Sequence, residues 1–203
     1  MESLKAQLGT KSSKLSVEKE NGALAHELGH LWFISQFPDP SGAVGNNHAY
    51  GGWAPDWLDE SAAILMENAV LRDQRREALK ELDPDQLIPL ETFFMMEHPL
   101  AQAAKNLVKD QTQKGNQQVV FLTGEEADKF LKESGQDDAG NFYSQVAGFA
   151  QYMIETTGDK TIFAKIAAHL SKGSNVSNWI ETSPHFKNLA QLDSAWQAWV
   201  GQN

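Results

Sequence analysis

His26-Glu27-Leu28-Gly29-His30 sets two imidazoles four residues apart with a carboxylate between them. On a helix, residues at that spacing lie one turn above each other, so both rings can reach a single metal ion. Glu27 then sits beside the pair, placed to take a proton from water activated by the metal. Composition alone produces such a match in roughly one chain in 80 of this length. The reading therefore depends on the surroundings: a helix to carry the pair, a third ligand, and a cleft.

A helix is expected around it. Ser16 is a candidate N-cap, with Glu18 and Glu20 in the opening turn where the helix dipole favours anions. No proline interrupts from there to Gln36, and residues 1–15 are expected to be a flexible lead. Val17, Leu24, Leu28 and Leu31 share one stripe, with His26 and His30 roughly 200–240° away from Leu24. The expectation is that the apolar stripe packs into a core while the histidines look out over a cavity.

The third ligand separates the possible families. A metzincin would continue with glycine at position 33 and histidine at 36, but Phe33 and Gln36 stand there, which excludes that pattern. Downstream, Trp57-Leu58-Asp59-Glu60-Ser61-Ala62-Ala63 begins a second long helix. Pro55 closes the preceding loop, Asp56 is the expected N-cap, and Asp59 follows three residues later as in a capping box. Glu60 falls in the first turn, where the dipole again favours an anion.

Together, HELGHLWF at 26–33 and WLDESAA at 57–63 resemble the gluzincin peptidases, the thermolysin-like and aminopeptidase superfamily. The resemblance implies a zinc-dependent peptidase acting on a peptide or protein substrate. His26, His30 and Glu60 would hold one Zn²⁺ ion, with Glu27 as general base. A second similar stretch runs from Asn141-Phe142-Tyr143 to Gly158-Asp159-Lys160, followed by Thr161–Leu170 and a closing segment Leu192–Trp199. The same family implies a hydrogen-bond donor to the oxyanion, for which Tyr143 is the candidate; the alternative is a core tyrosine with a satisfied hydroxyl. The fold implied is mainly α, α+β at most: a helical catalytic body whose N-terminal β-sheet is reduced or absent, because only a short polar stretch precedes the first motif. A missing N-terminal domain or precursor segment is the other explanation, and a processed fragment would suit a secreted or periplasmic setting, although no signal stretch is visible.

Residues 37–54 form a longer excursion between the two motif helices than compact members of that family have, and they read as a loop insertion. It is rich in turn formers, and Gly45–Trp53 is rich in glycine and aromatics. His48 is an alternative metal ligand to Glu60, and Tyr50 and Trp53 either line a cleft or anchor the loop. The Glu60 helix is expected to run to Glu81, before a break at Asp83-Pro84-Asp85. Short helices are expected at Glu91–Met96 and Ala101–Lys109, and a short strand at Val119–Leu122. His98, His169 and His185 show no ligand spacing and read as surface or core residues.

Bulk properties agree with one enzyme-sized domain over residues 1–203. A formal net charge of −10 argues against nucleic acid or an anionic membrane as partner. No apolar run approaches the roughly 20 residues that span a bilayer. The lack of cysteine excludes disulfides and thiolate metal sites. Two rival classes stand beside the peptidase reading. One is a non-catalytic zinc-binding relative acting as a peptide-binding or structural domain. The other is a helical interaction module in which the motif is accidental; the lack of any fixed-period repeat speaks against it.

Overall fold

A computed structural model describes residues 2–38, 53–99, 102 and 136–202. Among these, helix accounts for 76% and no residue forms a strand, so the fold is mainly α. The elements are α1 (Glu2–Gln36), α2 (Asp56–Met66), α3 (Ala69–Lys80), a 3-10 turn (Pro84–Gln86), α4 (Leu90–Met95), α5 (Gln136–Thr157), α6 (Ile162–Leu170), α7 (Val176–Thr182) and α8 (Leu189–Val200).

The first helix begins well ahead of its expected cap. It is helical from Glu2, and the Ser16 hydroxyl donates to Glu20 Oε1 one turn on rather than capping a helix start. Its buried face is also the reverse of the expected one. Leu24, Leu28 and Leu31 are 60%, 50% and 65% exposed, while His26 and His30 are buried. Periodicity defines two faces of a helix but not which one faces inward. Here the inward face is the one carrying Gly22, His26, Gly29, His30 and Phe33, since small residues permit close approach and the imidazoles find carboxylate partners.

That approach is set by Gly29. A Cβ there would lie 2.6 Å from the Ala63 Cα, closer than packed carbons come, so the bare glycine lets α1 and α2 meet backbone to backbone. The two helices run antiparallel, with His30 beside Asp59 and His26 beside Glu67. The expected long helix from Glu60 to Glu81 is instead two. Glu67 turns extended after Met66, and Asn68 starts α3 by accepting the Leu71 N–H, while its side-chain amide donates to the Glu18 carbonyl of α1. The break at Asp83-Pro84-Asp85 stands as expected, in the form of the short 3-10 turn.

Opposite α1, the core is aromatic. Trp57, Phe93, Phe94, Phe142, Phe149 and Trp196 interlock, with the Trp57 and Phe94 ring centres 4.8 Å apart and those of Phe149 and Trp196 at 5.6 Å. Helix α5 runs through this core, presenting Phe142, Val146, Phe149, Ala150 and Met153 at helical spacing, all buried. The connection into α4 is pinned by polar contacts: Gln145 both accepts from the Ile88 N–H and donates to its carbonyl, at 2.8 and 2.6 Å. Asp193 of α8 accepts the Leu90 N–H at 3.1 Å. These bonds fix α4, and with it the segment Met96–His98 that returns toward α2. The turns after α5 and α6 occur at Gly158 and Gly173, which have φ of +66° and +81°, a region glycine enters without steric cost. The excursion over 39–52, the helix expected at Ala101–Lys109 and the strand expected at Val119–Leu122 lie outside the described residues, apart from a helical assignment at Gln102.

Candidate metal centre

Where α1 crosses α2, three side chains converge. His26, His30 and Glu60 are all buried, and one ligand atom from each lies within 4.8 Å of the others. The two imidazole Nε2 atoms are 3.1 Å apart, with Glu60 Oε2 3.4 Å from His26 Nε2 and Oε1 3.7 Å from His30 Nε2. The expected third ligand is thus placed with the histidine pair. His48, its alternative, lies outside the described residues.

Each imidazole is oriented from behind. His26 Nδ1 is 2.8 Å from Glu67 Oε1, and His30 Nδ1 is 3.1 Å from Asp59 Oδ1. With each Nδ1 beside a carboxylate, both Nε2 atoms lie on the Glu60 side, and with the Nδ1 atoms protonated their lone pairs would be available to a metal. Glu67 is held in turn by Arg75, whose Nε donates at 2.9 Å to Oε2 and whose Nη2 donates at 2.5 Å to Oε1. Asp59 therefore supports a ligand rather than serving the capping box expected of it, and α2 has no side-chain cap.

The electrostatics favour a cation. Asp59, Glu60 and Glu67 bring three buried carboxylates into this space, and Arg75 returns one positive charge. Both Glu60 oxygens are buried without a hydrogen-bond donor, a costly arrangement unless a cation or proton shares their charge. The imidazoles register the same field. Burial alone would depress His26, yet contacts with Glu60 and Glu67 outweigh it and lift its pKa to about 9. Burial acts likewise on His30, and Asp59 and Glu60 raise it above its ordinary value despite the nearby His26. Burial would push Glu67 up, but His26 and Arg75 hold it below the usual carboxylate range. A field that draws protons onto paired nitrogens also draws a cation, and two nitrogens with a carboxylate oxygen form a donor set that could hold a metal ion. The residues fit the metal.

Glu27 is exposed, on the flank of α1 about 100° round from His26. Tyr143 of α5 is half-buried, its ring centre 6.1 Å from that of His26, with the Arg75 guanidinium carbon 4.6 Å above the ring. Trp53 donates its indole N–H to the Phe37 carbonyl, the anchoring arrangement of the two considered for it.

Three residues of the site were not singled out as ligand supports. Asp59 was assigned to a cap. Glu67 had a signal, because it follows Glu60 by seven residues and so falls on the same stripe two turns on. His98 had none: it arrives from the loop after α4, with Nε2 3.6 Å from Glu60 Oε1. Burial, together with the charges of His30 and His26, pushes its pKa down to about 4. His169 contacts Ser174 and Asn178, and His185 stacks beside Phe186, as surface residues do. Comparison with known proteins gives no matching family model, no similar curated protein and no similar solved structure.

Proposed function

We propose that this chain is a zinc-dependent peptidase of the gluzincin type, hydrolysing peptide bonds in a peptide or protein substrate. The observation that carries the reading is the buried convergence of His26, His30 and Glu60 on one point. A zinc ion held there would supply Lewis acidity, lowering the pKa of water towards neutrality and polarising the scissile carbonyl. His26 and His30 would hold the ion, each oriented by a carboxylate beside Nδ1. Glu60 adds the anionic ligand. Glu27 accepts the proton of the attacking water and passes it to the leaving amine, a role typically worth about 10²–10⁴-fold. Tyr143, on the opposite helix, donates a hydrogen bond to the developing oxyanion, for which about 2.7–4 kcal/mol is typical. Among the described residues no helix is long and apolar enough to cross a membrane.

The test is elemental analysis of the purified protein together with digestion of a peptide library, with and without chelator. One zinc per chain and chelator-sensitive cleavage support the reading. Bound zinc with no cleavage of any peptide replaces it with the non-catalytic relative, and absence of stoichiometric metal removes both.

A further inference from the structure

We propose that His98 is a positioning residue that engages one oxygen of Glu60 and so makes that carboxylate a one-oxygen metal ligand, an inference resting on the metal-centre reading above. Helix α2 approaches the His98 segment at two points one turn apart, one of them a hydrogen bond. Asp56 Oδ2 accepts the His98 backbone N–H at 2.6 Å, and Glu60 Oε1 meets the His98 imidazole at 3.6 Å from Nε2. Residues 56 and 60 are four apart on one helical face, so the backbone contact sets where the ring arrives. Phe142 and Tyr143 of α5 close on that ring at steep angles, with centroid distances of 5.2 and 5.1 Å, and His98 is fully buried. Nothing here resembles a mobile surface histidine.

The two oxygens of Glu60 have different neighbours. Oε2 faces the His26 nitrogen, whereas Oε1 has two imidazoles about it, those of His30 and His98. His98 is not part of the three-residue group whose ligand atoms lie mutually close. Its place is behind the carboxylate. At 3.6 Å the ring nitrogen stands just short of a hydrogen bond to Oε1; closing that gap, its N–H would draw on the charge of Oε1 and leave Oε2 to the metal. Ligating carboxylates are generally hydrogen-bonded in this way, and the outer partner fixes both orientation and denticity. Two imidazoles and a single carboxylate oxygen make three protein donors, which leaves the fourth position of a tetrahedral ion for water or substrate. A carboxylate free to bind through both oxygens would add a fifth donor beside that water or substrate.

Cobalt(II) is the probe, because four-coordinate cobalt absorbs visible light several-fold more strongly than five-coordinate cobalt. His98→Leu removes the donor; His98→Gln keeps an N–H able to reach the carboxylate. The expected result is a weakened visible band and a cobalt affinity 10–100-fold lower in His98→Leu, with both recovered in His98→Gln to within about threefold. Unchanged band and affinity in His98→Leu overturn the inference, as does a His98→Gln variant that behaves like His98→Leu. If His98→Leu does not fold by circular dichroism, His98→Asn, whose amide is too short to reach, carries the same expectation and the same refutation. Wild-type protein that takes up no cobalt overturns the metal centre and this inference together. Cobalt uptake with the stated His98 dependence but no peptide cleavage overturns only the hydrolytic reading.

Discussion

Raising the pH from 7 to 9 is expected to tighten metal binding about 50-fold, because protons and metal compete for the same nitrogens. His26 has a pKa raised to about 9 by the carboxylates around it, and its Nε2 faces that of His30 at 3.1 Å. Two rings that close titrate as a unit, and a metal ligand must be deprotonated. At pH 7 only about one molecule in 100 has the neutral His26 that binding requires, a handicap of about 2.7 kcal/mol. Affinity therefore climbs about tenfold per pH unit from 7 and levels off above about 9. Folding stability of the metal-free protein has the opposite trend. A histidine whose folded pKa is raised contributes stability that is complete below its unfolded pKa of about 6.5 and is lost as pH rises through about 9. Glu67→Gln removes one of the raising charges and moves the bend in both curves to lower pH. The assay is competition against a chelator of known pH dependence, paired with thermal melts of the metal-free protein. Two ordinary imidazoles would change affinity by less than about twofold over this range; a curve that flat refutes the electrostatic account.

Three further outcomes are expected. Glu27→Gln keeps its metal yet loses peptide cleavage by about 10²–10⁴-fold; retained turnover in a metal-loaded variant removes Glu27 from the chemistry. Glu60→Ala lowers zinc affinity far more than His48→Ala, by equilibrium dialysis, and the reverse ranking reassigns the third ligand. Gly29→Ala, although alanine is the better helix former, costs about 1–3 kcal/mol in thermal or denaturant unfolding, because its methyl would meet the Ala63 backbone. Metal affinity falls with it as the helices part; a stabilised variant with full affinity contradicts the close-approach argument.

The parts of the site legible in the sequence were those fixed within one helix. His26 and His30 are neighbours by helical geometry alone, and Glu60 follows from a helix start that Pro55 and the tryptophan-led run mark. What joins helices was harder to see. Val17, Leu24, Leu28 and Leu31 form a true stripe, but a stripe says nothing about what covers it, and the buried face proved to be the one rich in glycine and histidine. Imidazoles are poor core residues unless paired, and their partners Asp59 and Glu67 sit on another element. The α2–α3 break did have a local mark in Asn68, a good N-cap followed by an apolar run. Nothing near His98 hinted at its position, because its placement depends on Gln145 and Asp193 fastening α4 from distant parts of the chain. The mainly helical class was readable among the described residues, since proline and asparagine mark helix starts and Gly158 and Gly173 the turns that follow helices.

The outward leucines of α1 have one more consequence. Leu24 and Leu31 lie three residues before and four residues after Glu27, so on the helix they flank its carboxylate above and below. Any surface that shelters those greasy side chains from solvent also overhangs Glu27, stripping water from the carboxylate and narrowing the route to it. Shielding the strip and covering the Glu27 carboxylate are a single event on this face of α1.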